Sequence, residues 1–423
     1  MKTAKKNIVI LGAGYCGIQA AKRLSTLLNK NSDYEIILVD KSSQHVYVAE
    51  LYEISAAYYD QMTESCVTEL RDALAFPVQL AVAGKNVNFV QDEVENIDTR
   101  RHFVSLKKRG MLNYHYLIVA LGSETNYYGM KDIAKNAYSL KTVSDALKIN
   151  CDLDHLFQNR STKNDHKPIK ILVSGGGFTG AELVCELAKF IKKLSKKYQF
   201  EMSEVTLKII QGSNEMIGLG SRVSKMAIKR FKKLGIEYMM NTSVIGYKNN
   251  IVEIKNRQTE ETSKEKVDML IWTAGIQTNS LLSKIFKKLD EKNCLQTKTT
   301  LECLHYERIY AGGDNASIFD PKNSRPLPKL GQLAIQQGEL IAQNIYARIN
   351  NLPEKKYKPF FKGFILQLGG KYGIYSKGNF SMSGILPWAL RKFVDLRYYL
   401  AILSPVSAVK KWWKTENIFL HND

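Results

Sequence analysis

The chain alternates short, unbroken apolar runs with longer stretches in which apolar residues return every three to four positions. "NIVIL" at 7–11 is apolar from its second residue on, the pattern of a strand covered on both faces, and it runs straight into glycines. From 14 to 30 the apolar positions take helical spacing, and "YEIILVD" at 34–40 is a second strand ending on Asp40. Strand, helix and strand in this order predict a βαβ unit with parallel strands. Short strand-like pieces follow from 86 to 122, the last being the buried run "YLIVALG" closed by Gly122. Residues 151–168, "CDLDHLFQNRSTKNDHKP", are polar and end in proline, which predicts a crossing between domains. The opening pattern then returns. "IKILVSGGGFTGAELVCELAKF" at 169–190 again gives strand, glycines and helix, and "VTLKIIQ" at 205–211 again gives a second strand. A buried strand at 267–276 and a strand running into a turn at 308–316 complete the echo. Self-similarity over so long a distance predicts two domains of one architecture, not a short-period solenoid.

The first glycine turn reads G-x-G-x-x-G at Gly12, Gly14 and Gly17, with Ala13, Tyr15 and Cys16 between them. In such a turn the first glycine permits the bend, the second lets backbone approach a pyrophosphate, and the third lets the helix close on the strand. Free amides and the helix dipole then favour negative charge, and Asp40, followed by Lys41, stands where a carboxylate accepts hydrogen bonds from ribose hydroxyls. The second turn sets Gly175, Gly177 and Gly180 in the same relation, but its strand ends on Gln211. A glutamine bonds a ribose without repelling a 2′-phosphate, so the choice between NADH and NADPH stays open. The fold class expected is α/β with two Rossmann-like dinucleotide-binding domains. A pair of such domains suits a flavoenzyme that holds FAD in one and brings NAD(P)H to it with the other.

Composition adds two constraints. At 423 residues the chain is long enough for two or three domains at ~150 residues each. No apolar run approaches the ~20 residues that span a bilayer. The N-terminus, "MKTAKKNIV", enters a strand without a small-residue cleavage site and is read as uncleaved. The 61 basic against 41 acidic residues leave a net charge of +20, which points to a polyanionic partner, an anionic membrane surface or a nucleic acid. No helix-turn-helix, zinc or RNA-binding signature accompanies the charge, so a nucleic-acid partner is not expected. The six cysteines form no C-x-x-C pair, so neither a metal site nor a redox disulfide is expected.

Seven segments taken together, "VILGAGYCG", "HVYVAELYEISA", "YLIVALGSETNYYG", "GGGFTGAELVCEL", "WTAGI", "IYAGGDNA" and "GQLAIQQG", resemble the two-dinucleotide-binding-domain flavoproteins, and within them the type II NADH:quinone oxidoreductases. The resemblance implies a glutathione-reductase-like flavoprotein fold. It implies an FAD-binding domain at 1–125 with 300–355 and an NAD(P)H-binding domain at 126–299, and the tail's own apolar and basic residues set apart a C-terminal membrane-associating region at 356–423. It also implies electrons passing from NADH or NADPH through FAD to a membrane quinone, and with no membrane-spanning path in the sequence no proton pumping is expected. Asp314 then matches the aspartate at the ribityl-phosphate end of FAD, Val94 offers backbone to the adenine, and Gly122, Ala334 and Lys392 join the flavin site. Glu182 matches a glutamate near flavin and nicotinamide that assists proton movement. As a first-turn acid it would also suit a helix N-terminus. Gln332 and Gln336, at i and i+4, match the quinone motif. Disulfide reductases of this superfamily use a closely spaced cysteine pair that is missing here, so electrons are expected to leave the flavin directly, and Cys16 is expected to be a packing residue.

The tail at 383–420 mixes apolar and basic residues at helical spacing, interrupted by Pro387 and Pro405. Leu386, Leu390, Phe393, Val394, Leu396, Tyr399 and Leu400 supply an expected apolar side, and Arg391, Lys392, Arg397, Lys410, Lys411 and Lys414 a basic one, with Trp412 and Trp413 at interface depth. This predicts a peripheral protein on the cytoplasmic side of the cell membrane, and a homodimer is among the assemblies it allows. The competing enzyme reading is an NAD(P)H-dependent reductase of ferredoxin or another soluble electron carrier, drawn to the basic surface. A third is a nucleotide-sensing or nucleic-acid-binding protein without turnover.

Overall fold

A computed structural model describes residues 5–28, 33–163, 167–321, 324–420 and 422. Two five-stranded parallel sheets dominate. The first runs Ile309–Ala311, Tyr116–Val119, Lys6–Leu11, Tyr34–Asp40, Asn88–Gln91. The second runs Tyr138–Ser139, Met269–Trp272, Ile169–Ser174, Val205–Ile210, Glu237–Met239, which is the same order and sense. Each also carries a three-stranded antiparallel meander, at 94–113 and at 242–266. In both sheets the glycine-bearing strand is third, where the connections reverse direction and open a crevice at the strand ends.

The reason is in the strands themselves. Ile8 and Ile10 face one layer and Val9 and Leu11 the other, all four fully buried, so each face must be covered. Helix Tyr15–Leu27 covers one face with small residues, Cys16, Gly17, Ala20 and Ala21, and crosses helix Gly331–Ile349 closely. A Cβ on Gly338 would lie 2.3 Å from the Cys16 carbonyl oxygen. Cys16 is thus packing material, its thiol pushed up to about 12 by burial and by Asp314.

Three expectations need correction. The polar stretch at 151–168 is not a crossing loop. Through Thr162 it continues the 20-residue helix Val143–Thr162, and residues 164–166 lie outside the described residues. Thr142 and Asp145 form a capping box, and Leu147, Asn150, Leu153 and Phe157 are buried at helical spacing. The helix expected over 14–30 is Tyr15–Leu27, with residues 29 and 30 outside the described set. Pro387 interrupts nothing, because it stands in the first turn of helix Ile385–Ile402, where no amide donor is needed. Pro405 opens the final helix, Pro405–Leu420. Residues 1–4 of the N-terminus lie outside the described residues.

The tail also turns differently from the expected sidedness. Arg391 and Lys392 point inward to carboxylates, Lys411 donates to the carbonyls of Asp72 and Ala75, Tyr399 is fully buried, and Trp412 donates to the Lys392 carbonyl. What faces outward is a stripe of Leu386, Leu390, Phe393 and Leu400 on one helix and Val406, Val409 and Trp413 on the other. Phe393 is 68% and Trp413 61% exposed, and exposed Arg397, Lys410 and Lys414 stand around them. No described helix is long and apolar enough to cross a membrane.

Candidate active site

The two glycine turns are built alike. Gly12 has φ +101°, and a Cβ there would lie 2.2 Å from the Ala120 carbonyl oxygen. Gly175 has φ +110°, with Ala274 Cα at 2.6 Å. A Cβ on Gly17 or Gly180 would lie 1.8 Å from the carbonyl oxygen of Gly12 or Gly175. Gly14 and Gly177 are the opposite case, with open space within 4 Å. Each is the N-cap of its helix, Tyr15–Leu27 and Phe178–Tyr198, and neither has a capping side chain or an acid in the first turn. Uncapped amides at the mouth of an open turn are a fitting seat for pyrophosphate. Asp40 reaches its turn by accepting from Ala13 N at 2.7 Å, and Gln211 Oε1 accepts from Gly176 N at 3.0 Å. Gln211 commits its amide donor to Ser213 and the Glu215 carbonyl. Lys41 is exposed beside Asp40, and Val94 is half-buried at the start of the first meander.

At the end of the first sheet, Asp314 accepts from Ser123 Oγ at 2.5 Å, and Lys141 Nζ donates to the same hydroxyl at 2.7 Å. Asn315 joins the two strand ends by bonding both the amide and the carbonyl of Gly122. Gly313 donates to Gln337 Oε1, and Ala334 Cβ lies 3.7 Å from where a Gly313 Cβ would stand. Helix Gly331–Ile349 therefore aims a third uncapped N-terminus at this region, with the Tyr15 ring against Gly331. Gln332 and Gln336 sit on its first turns. Their amides bond the backbone of 360–363: Gln332 with Gly363 O and Lys362 N, Gln336 with Phe360 O and N. They pin an extended segment against the helix, a role the motif alone does not reveal.

Glu182 lies beyond the first turn of its helix, so it is not a helix-capping acid. It is 7% exposed, accepts from Gln367 N at 3.2 Å, and is pushed up to about 7 by burial, against the opposing pull of Arg391 and that amide. Tyr52 OH donates to Gln367 Oε1, while Gln367 Nε2 is buried and has no hydrogen-bond partner among the described residues. A carboxyl poised near neutrality beside an unspent amide donor can exchange a proton with an oxygen acceptor brought to it.

Beneath Tyr15 lies a buried charge cluster. Arg391 pairs with Asp395 at 3.0 Å and donates to the carbonyls of Ala49 and Ile365, and Tyr47 OH donates to Asp395. Lys392 pairs with Glu416 at 2.9 Å and lies 3.9 Å from Glu50. Burial raises the Glu50 carboxyl far above the usual range, and neither of its oxygens has a hydrogen bond among the described residues. Lys392, expected at the flavin site, is thus committed to carboxylates here. His45 links this cluster to the first turn. Its Nδ1 meets the Ala13 carbonyl at 2.8 Å, so Nδ1 carries the proton, and Nε2 accepts from Tyr398 OH at 2.5 Å. Burial pushes its pKa down to about 4, so the ring is neutral at pH 7. Sequence reasoning missed Ser123, Lys141, Asn315, Gln367 and this cluster. Only the abundance of acids in "AELYEI" hinted at the last.

All six cysteines are free. The pyridine nucleotide-disulphide oxidoreductase family matches residues 6–338. The type II NADH:quinone oxidoreductase of Staphylococcus saprophyticus is 27% identical over 400 residues, 94% of this chain and 96% of its own length. That of Staphylococcus aureus (strain MSSA476) is 27% identical over 416 residues, 97% and 99% of the two chains. Among solved structures, NDH2 from Plasmodium falciparum in complex with NADH superposes with a TM-score of 0.82 at 19% identity, over 99% of this chain and 97% of that one. The sulfide:quinone oxidoreductase of Aquifex aeolicus reaches 0.75 at 18% identity, over 98% and 92%. At such identities the structural likeness speaks for the fold.

Proposed function

Since the chain belongs to the pyridine nucleotide-disulphide oxidoreductase family, we propose that it is a non-pumping oxidoreductase that carries electrons from NADH through FAD to a membrane quinone. The observation that carries this reading is the pair of open, uncapped glycine turns of one geometry, each at the reversal point of its own sheet. The names borne by relatives that span nearly the whole chain support the same donor and acceptor.

We assign FAD to the first turn, with 1–125 and 300–355 as its domain, and the nicotinamide donor to the second, with 126–299. The amides around Gly14 would hold the FAD pyrophosphate, Asp40 the ribose, and Asp314, held by Ser123, the ribityl end. Bound there, FAD supplies the step that turns a two-electron hydride donor into electrons for a quinone. The protein's own part is positional and protic. Gly177 amides seat the donor on a turn that Gln211 fixes through Gly176 N, and Glu182 gives the proton that a reduced quinone oxygen needs, from a carboxyl that is half protonated near neutral pH. Gln332 and Gln336 form the wall of the quinone passage by fixing segment 360–363.

An acceptor dissolved in lipid fits the outward stripe of the two C-terminal helices, which we place in the headgroup boundary on the cytoplasmic side, with Arg397, Lys410 and Lys414 towards anionic lipid. The test is stopped-flow on the flavin-loaded protein. NADH is expected to bleach the flavin, and a soluble quinone analogue to restore its colour faster than a ferredoxin does. A flavin that NADH leaves oxidised, or that only the ferredoxin reoxidises, would overturn the assignment.

A further inference from the structure

The turn between the two C-terminal helices faces the segment at 80–85 across a half-open pocket of about 290 Å³. Its wall is of two kinds, Lys22, Lys85, Ser404 and Ser407 being polar and Leu80 and Leu403 apolar. Lys22 crosses from helix Tyr15–Leu27 and donates to the carbonyls of Ala401 and Ile402, leaving part of its charge unspent. Lys85 is exposed at the mouth. Among the described residues no carboxylate pairs with either lysine, and Glu339, on the helix packed against that of Lys22, is taken by Arg23 and Gln19. Ser407 receives the Ser404 hydroxyl and keeps its own O–H to donate. Burial and the neighbouring Lys85 together push Lys22 down to about 8, a cost to its cation that an anion seated between the two lysines would offset. Leu80, 51% exposed, and Val406, 66% exposed, continue the rim into the outward apolar stripe.

We propose that this cavity seats the phosphate of an anionic phospholipid headgroup, with Lys22 and Lys85 as counter-charges and Ser407 as donor, while the apolar stripe lies in the acyl boundary. Its volume is near the ~300 Å³ lower edge of small-ligand pockets, room for a headgroup rather than a dinucleotide. The inference rests on the membrane-docking reading above and gives it a stoichiometric site where that reading has only diffuse attraction.

The test is flotation of the full-length, flavin-loaded protein with phosphatidylcholine vesicles, with and without phosphatidylglycerol, at low and high salt. Wild type is expected to prefer the phosphatidylglycerol vesicles. Lys85→Gln is expected to lower that partition about fivefold and Lys22→Gln with Lys85→Gln about 25-fold, at ~1 kcal/mol per lysine, with phosphatidylcholine binding unchanged. Lys410→Gln, an exposed lysine outside the cavity, should lose its effect at high salt, where diffuse attraction is screened, whereas the Lys85→Gln effect should persist. Among the described residues the Lys85 side chain makes no hydrogen bond or ion pair, so that variant remains informative if the Lys22 change impairs folding. Equal binding of wild type to both vesicles, or equal and equally salt-sensitive losses for Lys85→Gln and Lys410→Gln, would overturn the site and leave membrane docking intact. Wild type binding neither vesicle would overturn the docking reading itself. Micromolar binding of inorganic phosphate or glycerol phosphate without lipid would overturn the lipid as occupant.

Discussion

Replacing Glu182 by glutamine should stabilise the protein, and by an amount that depends on pH in a calculable way. The carboxyl is 7% exposed, and burial raises it from the usual 4.5 to about 7. Below pH 4.5 both folded and unfolded chains are protonated there, and the E182Q protein should match wild type. Between 4.5 and 7 the folded chain keeps a proton that the unfolded one has released, so wild-type stability falls as pH rises; above 7 the full cost of a buried carboxylate is present. At ~1.4 kcal/mol per pH unit the cost is about 3 kcal/mol. With a melting entropy of ~2.1 cal/mol/K per residue, that is a Tm gain of roughly 3–4 °C for E182Q at pH 8.5, and less than half as much at pH 5.5. Scanning calorimetry on both proteins at matched ionic strength measures the difference. Quinone reduction by E182Q should meanwhile fall at every pH, because a primary amide donates no transferable proton. A Tm gain that is flat from pH 5 to 8.5, or a loss at pH 8.5, would refute the reasoning.

Four further outcomes are expected. Gly17→Ala places a methyl 1.8 Å from the Gly12 carbonyl and should yield protein largely without flavin, read from its visible absorption. Gly180→Ala makes the same clash in the second turn and should keep its flavin while raising KM for NADH. Arg391→Met strands Asp395, which is fully buried, and should cost about 3–5 kcal/mol in denaturant unfolding. The double change Leu386→Glu with Phe393→Glu puts charge on the outward stripe and should release the protein from vesicles, while turnover with a water-soluble quinone analogue stays near wild type.

The parts legible in the sequence are those whose chemistry is local. A phosphate cradle needs its glycines within six residues of one another and a strand before them, so both turns and the parallel order of the first strands could be read directly. The helix at 143–162 was masked because its exposed face is polar and its buried face includes Asn150, which bonds the carbonyls of Ser55 and Ala57 and looks like a loop residue in isolation. The tail misled in a related way. Helical spacing identifies two sides of a helix but not which is inward, and here the inward one carries Arg391, Asp395 and Tyr398. Their partners, Glu50, Tyr47 and His45, lie more than three hundred positions away, and no local pattern links them.

The first sheet finishes late. Its edge strand Ile309–Ala311 and the helix whose Gly338 closes on Cys16 are translated only after the entire second sheet, and His45 waits longer still for Tyr398. On the ribosome the second sheet can therefore be completed before the first, and a flavin seated by the first turn would meet a whole site only once the C-terminal helices are made. Chains cut short within the C-terminal helices would then emerge colourless even though every residue of the first glycine turn is present.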